Sequence, residues 1–405
     1  MMAKRVLFIS TLNLATNPRI LKEIKLANAL DYDISFLGFH LGNWSDELDK
    51  EIRKQVPKAN YTYLEASRIN FLPWLRDSLL ERVNRIFWKL QTKNLRLSAT
   101  AHTKRTFSLL KFANKVKRMD FDLVIGHTLG TFYPASIIAR KAGCPYAFDI
   151  EDFHPGEHIE GDSKDEISRR ELIMNRTFLD AAYISASSPL IGKYSKELCG
   201  LDEKKIIPIL NFFYSDEFRP PVTPVSSKIQ LIWFSQFIGP GRGLEIVLSH
   251  WDSLKEYFEL TLIGTASVSL DGMFQAGIRI IPPLPQRELH QMLGSFDVGL
   301  AFELTNRDIN RDIALTNKLL AYFQAGLYIL TTDTAAQVDF MKQNPNAGMS
   351  FSQISPESFL NAMKDIRNNI TQIRLGSLKR YENAVNHNWE KESEKLREIW
   401  NQILN

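Results

Sequence analysis

Cysteine is nearly absent from this 405-residue sequence, which holds only Cys144 and Cys199. So few thiols exclude a disulfide framework and a cysteine-built metal cluster, and they fit a reducing cytosol better than secretion. Long apolar runs are missing as well. No stretch approaches the roughly 20 residues needed to span a bilayer, so any membrane contact is expected to be peripheral. The first apolar run, Val6 to Ile9 behind Lys4 and Arg5, is too short for a signal peptide and reads as a strand. Charge of one sign is scarce overall, and a net charge of +4 does not by itself suggest nucleic acid. The sequence carries neither the dinucleotide fingerprint nor a Walker loop, so NAD and ATP hydrolysis are not indicated.

What is present describes a globule in two parts. Hydrophobic residues make up 44% and charged residues 24%, close to the average of folded soluble proteins, which argues against disorder and coiled coil. A chain this long exceeds one ordinary core and fits two domains of roughly 200 residues. Short β-branched or aromatic runs alternate with helix-period segments, from Val6 to Ile9 through Lys205 to Leu210, and again from Gln230 to Gln236 through Tyr328 to Thr332. That rhythm predicts α/β architecture with parallel sheets covered by helices. It stops around Pro220-Pro221-Val222-Thr223-Pro224, which reads as a linker. The expected layout is a Rossmann-like domain over 1–210, a linker over 211–227, a second Rossmann-like domain over 228–385 and a closing helix over 386–405. Ligands of such sheets bind outside the carboxyl ends of the strands, so a cleft between the domains is the expected site.

Ser235 to Glu245, centred on Gly239-Pro240-Gly241-Arg242-Gly243, follows a predicted strand and opens a helix. Glycine lets backbone approach a ligand, amides at a helix start point outward, and a guanidinium grips phosphate with two parallel bonds. Gly241, Arg242 and Gly243 therefore read as a diphosphate cradle; a tight turn with a solvated arginine fits the same residues. Leu315 to Gly326 sets Asn317 and Lys318 at another helix start, where a cation opposes the helix dipole unless an anion is near. Lys318 reads as a second phosphate contact, or more plainly as a surface residue beside a core stripe. In the first half, His127, Asp149, Glu151, Asp152 and His154 follow neighbouring strands. Polar groups at strand ends suit the orientation of a hydroxyl or a sugar, which makes His127, Asp149, Glu151 and His154 the candidate catalytic residues.

Read together, these segments resemble retaining glycosyltransferases of the GT-B fold, the group 1, family 4-like enzymes of bacterial polysaccharide and lipid-glycan synthesis. Thr16-Asn17-Pro18-Arg19-Ile20-Leu21-Lys22-Glu23 is similar to the start of that family's first helix, and Phe121 to His127 and Phe148 to Asp152 to two of its strand segments. Gly241 to Glu245 resembles its basic loop, Thr316 to Gly326 its "PNKxxEYxaaG" helix, and Asn388-Trp389-Glu390 its tryptophan before the final helix. The resemblance implies two Rossmann-like domains facing across a cleft, with a C-terminal helix crossing back to the first. It implies a cytoplasmic enzyme that moves a sugar from a UDP- or GDP-linked donor to a glycan or lipid-linked acceptor, with retention and with neither metal nor further cofactor. Arg242 and Lys318 would then face the donor diphosphate. The family's paired donor-holding glutamates are replaced by Ile313 and Ala321, the proline of its "PNK" by Thr316, and the histidine near the second strand by Glu151. Ribose recognition would fall to Glu303, Asn306, Asp308, Asn310 or Asp312. Competing readings are a catalytically silent homologue that binds glycan or acts as a scaffold, and a nucleotide-sugar epimerase.

Residues 68–118 hold thirteen Lys or Arg against Asp77 and Glu81 alone. Leu72, Leu75, Leu79, Val83, Ile86 and Leu90 recur at three and four residues, and Phe71, Trp74, Phe87 and Trp88 add aromatics. This is a basic amphipathic helix, suited either to an anionic membrane surface or to packing on the first sheet. With no nucleic-acid module in the chain, nucleic acid is not an expected partner.

Overall fold

The computed structural model describes residues 3–68, 71–161, 163–266, 276–305 and 308–404. The chain forms two compact units, Met1–Ile209 with Ser393–Asn405, and Leu210–Glu392.

The first unit is a seven-stranded sheet of β1 (Arg5–Ser10), β2 (Asp33–His40), β3 (Asn60–Glu65), β4 (Leu123–His127), β5 (Tyr146–Ile150), β6 (Ile184–Ala186) and β7 (Ile206–Pro208). Its order is β3-β2-β1-β4-β5-β6-β7, and every neighbouring pair is parallel. A central parallel strand is covered on both faces, so it must be apolar throughout; Val6, Leu7, Phe8 and Ile9 are at most 1% exposed. The helix Pro18–Ala29 after β1 starts where Pro18 fixes the first turn and the Asn17 side chain accepts the Ile20 N–H.

The second unit repeats the plan with β8 (Ile229–Ile238), β9 (Phe258–Ala266), β10 (Ile278–Ile281), β11 (Val298–Ala301), β12 (Tyr328–Thr332) and β13 (Gly348–Phe351). The order is β10-β9-β8-β11-β12-β13, again parallel. In both sheets the order reverses beside the first strand, between β1 and β4 and between β8 and β11. Such a reversal opens a crevice at the strands' carboxyl ends.

Two expectations change. The stretch 211–227 is not a solvated linker along its whole length, because Phe212, Phe213 and Phe218 are buried in the second unit's core with Leu320 and Phe323. Three phenylalanines so close together have more to gain from burial than a spacer can leave exposed. The closing helix runs Trp389–Leu404; the Trp389 N–H donates to Phe213 O within the second unit. From Ser393 onward it belongs to the first unit, where Trp400 is fully buried and donates to the Tyr183 hydroxyl at 2.8 Å.

Candidate functional site

At the switch point of the first sheet, β4 ends in His127 and β5 carries Asp149 alongside it in register. The helix Pro18–Ala29 presents Arg19 and Glu23, one turn apart, to the same place, and all four residues are at most 1% exposed. Arg19 Nε lies 2.6 Å from Asp149 Oδ2, its Nη1 donates to Ile209 O at 2.7 Å, and Ser185 Oγ donates to Asp149 Oδ1 at 2.5 Å. His127 stands 3.3 Å from Glu23 and 3.4 Å from Asp149. Two cations thus face two carboxylates, the compensation buried charge requires.

The electrostatics follow. Burial disfavours every charge here, but the Arg19 and His127 cations outweigh it and hold the Asp149 carboxyl well below the usual carboxylate range. For His127, Glu23 and Asp149 overcome burial and raise it to about 10. Burial raises the Glu23 carboxyl, with His127 opposing. Half-buried Glu151, one residue past β5, is pushed up to about 7 by burial and then by the Asp149 charge. Glu23, His127 and Asp149 bring ligand-type atoms within 4.8 Å of one another. The Arg19 guanidinium already lies 2.6 Å from Asp149, so the set as it stands is arranged as an ion-pair cluster.

Of the four candidate catalytic residues, the fold therefore brings His127 and Asp149 together but inside the unit, with Glu151 beside them. His154 goes elsewhere. It sits in the turn His154–Gly156 with Nδ1 3.3 Å from Glu157, while its carbonyl accepts from Arg170, which also pairs with Glu166. Residue types alone could not reveal this partition. The missed members, Arg19 and Glu23, did leave a signal: charges at i and i+4 on a helix face otherwise made of Ile20, Ile24 and Ala27. Thr128, immediately past β4, was missed as well. It holds φ 75°, a strained conformation for a β-branched residue, and its Oγ1 lies 2.8 Å from Thr11 Oγ1 across the switch point.

In the second unit the glycine loop follows β8. Gly241 and Gly243 take φ of 79° and 78°, which favours glycine, and a Cβ on Gly243 would come within 2.5 Å of Phe302 Cβ. That contact seats the loop against the carboxyl end of β11. The Gly241 N–H donates to Glu245 Oε1, and Arg311 Nη1 donates to Gly241 O at 3.1 Å, a support that sequence reasoning overlooked. Arg242 is exposed and holds no hydrogen bond or ion pair among the described residues.

Glu303, two residues beyond β11, is fixed by its N–H to Thr332 Oγ1 and receives Lys318 Nζ at 3.0 Å. Lys318 is only 7% exposed and lies 5.4 Å over the Trp233 ring, so its charge is paired rather than solvated. Asn317 opens the helix Asn317–Gln324 and accepts from the Asn211 amide at 3.0 Å. The Thr316 hydroxyl beside it is buried without a partner among the described residues. Ile313 and Ala321 are fully buried core residues. Among the suggested ribose contacts, Asp308 caps the helix Ile309–Ile313, Asp312 accepts the Ala335 N–H, Asn310 is 8% exposed, and Asn306 lies outside the described residues. Glu303 is thus the carboxylate that shares a strand end with both the glycine loop and Lys318.

No protein-family model matches the chain, nor does any curated protein sequence. Solved structures do. HepE of Anabaena, in complex with UDP, superposes with a TM-score of 0.68 at 11% identity, covering 99% of this chain and 100% of its own. Sucrose-phosphate synthase of Thermosynechococcus elongatus gives 0.67 at 10% identity over 98% of each chain. A glycosyltransferase of Rickettsia africae gives 0.61 at 14% identity over the whole of both. With two parallel sheets of matching strand order and this likeness from end to end, the chain has the GT-B fold of glycosyltransferases.

Proposed function

We propose that the protein is a glycosyltransferase that moves a sugar from a UDP- or GDP-linked donor to a glycan or lipid-linked acceptor, with retention and without a metal. Its setting is the cytoplasmic synthesis of cell-surface polysaccharide. One observation supports the reading: the left-handed glycine loop, which carries the exposed Arg242, rests through Gly243 on Phe302, and the next residue, Glu303, receives Lys318, beside the switch point of the second sheet. HepE, similar over its full length, is in complex with UDP. Negative charge grows on the departing diphosphate during transfer, and groups fixed before reaction stabilise that charge more than they stabilise the bound donor. Arg242 supplies a guanidinium to the phosphates. Lys318 supplies an ammonium held in place by Glu303 and Trp233, and the leaving phosphate takes the acceptor proton. On the first unit Glu151, with its raised affinity for a proton, orients an acceptor hydroxyl bound to that unit, while the buried His127–Asp149 cluster fixes the strand ends that carry it.

Calorimetric titration with UDP, GDP and their sugars tests this reading. One nucleotide should bind, and Arg242→Ala should weaken it by roughly tenfold to a hundredfold, the worth of a charged hydrogen bond, without lowering the melting temperature. If no nucleotide binds, or the variant binds unchanged, the donor site is wrong. The buried Ile313 and Ala321, where the resembling enzymes carry donor-holding carboxylates, favour a second reading. In it the chain is a silent homologue that binds glycan or scaffolds assembly, and it predicts no sugar release from any bound donor.

A further inference from the structure

The helix Phe71–Leu90 has its faces reversed. Asp77, Glu81, Asn84 and Trp88, spaced at four, three and four residues, form the side turned into the first unit. Asp77 accepts from Ser108 Oγ at 3.1 Å, Glu81 accepts the Lys104 N–H at 2.9 Å, Asn84 donates to Thr100 Oγ1 at 2.9 Å, and Trp88 donates to Ser98 Oγ at 2.8 Å. The opposite side is apolar and open: Leu72 is 76% exposed, Leu79 51%, Val83 42%, Ile86 67% and Leu90 78%, with Phe71 and Phe87 also exposed. Of the two sequence readings for this stripe, packing on the sheet therefore fails. The inner face makes its contacts through polar groups, leaving the leucines nothing to cover.

A lone exposed leucine is ordinary; a row along a helix of about 30 Å is not. Its charges point to the occupant. Arg76, Arg82, Arg85, Lys89 and Lys93 are exposed, whereas both acids of the helix, Asp77 and Glu81, are turned inward. Arg76, Arg85 and Lys89 each pair with an acid, at Asp77, Glu81 and Asp165, whereas Arg82 and Lys93 hold no ion pair among the described residues and are left to meet an outside anion. We infer that this face docks on an anionic lipid bilayer, with the helix lying in the interface and its apolar row entering the acyl boundary. A second copy would set the same cations against each other, and nucleic acid gives no use to the apolar row. Among the described residues no helix is long and apolar enough to cross a membrane, so the contact is peripheral. The inference uses nothing of the donor site and stands or falls apart from the transferase reading.

Flotation of the full chain, without nucleotide, is the test. Vesicles of phosphatidylcholine and phosphatidylglycerol in equal parts should carry the protein up at low salt and release it as salt rises, while phosphatidylcholine alone should not carry it. Leu79→Ser with Ile86→Ser should lower the bound fraction at least about tenfold. Arg82→Gln with Lys93→Gln should lower it roughly thirty-fold, at about fivefold per charge near an anionic surface. Both pairs are exposed, so melting by circular dichroism should match the parent chain. Failure of the parent to float on anionic vesicles overturns the inference without any variant. So does undiminished binding in either double variant, or a parent dimer in sedimentation that the Leu79/Ile86 variant abolishes, since a second copy would then cover the face.

Discussion

His127 is 1% exposed and lies among Arg19, Glu23 and Asp149, so its protonation is a property of the cluster rather than of an isolated imidazole. Its affinity for a proton rises from about 6.5 in the unfolded chain to about 10 when folded. A group raised in this way stabilises the fold fully below its unfolded value, and that stability is lost as pH climbs through the folded one. Urea midpoints of the parent should therefore fall between about pH 6.5 and 10, and His127→Gln should flatten that fall. An equally steep decline in the variant would show that other groups cause it. Glu151, raised to about 7, acts in the same direction lower down, since the unfolded carboxyl ionises first. Candidate residues were legible as polar groups after strands. That Asp149 is a buried counter-ion, and His154 part of another ion-pair group, depended on their pairing with Arg19 and Arg170, and local pattern marks such residues without showing which partner each one meets.

Among the elements, strands and helices were largely legible because their hydrophobic periods are local. Faces were less so. The stripe from Leu72 to Leu90 has the same three-and-four spacing whether it meets core, lipid or water. Only the hydrogen bonds of Asp77, Glu81, Asn84 and Trp88 to residues beyond the helix settle which side is inward. Thermal or urea unfolding should separate the two faces sharply: Trp88→Ala, at 3% exposure, should cost about 3–5 kcal/mol. Leu79→Ser should stay within about 0.5 kcal/mol; a large loss for Leu79 would mean that the stripe is packed after all. The glycine loop shows the converse. Gly241 and Gly243 were legible as special positions, yet the reason Gly243 must be glycine is Phe302, which meets it from another strand.

Over the whole molecule, the first unit is completed by the end of the chain. Trp400 is fully buried against Phe8 and Tyr32 and bonds Tyr183 from 217 residues away. Trp400→Ala should therefore destabilise the first unit by about 3–5 kcal/mol, read as an earlier loss of its tryptophan signal in denaturant. Phe212, Phe213 and Phe218 do similar work in the second unit, where a spacer was expected. By itself the sequence determined the α/β class, the two repeated halves and the glycine loop, because apolar periodicity and left-handed glycine preference act over a few residues. Tertiary structure decided which charges are buried in pairs, which helix face is open, and that Glu303 holds Lys318. Those outcomes rest on contacts between residues far apart in the chain, whose energies exist only once the strands have brought them within reach.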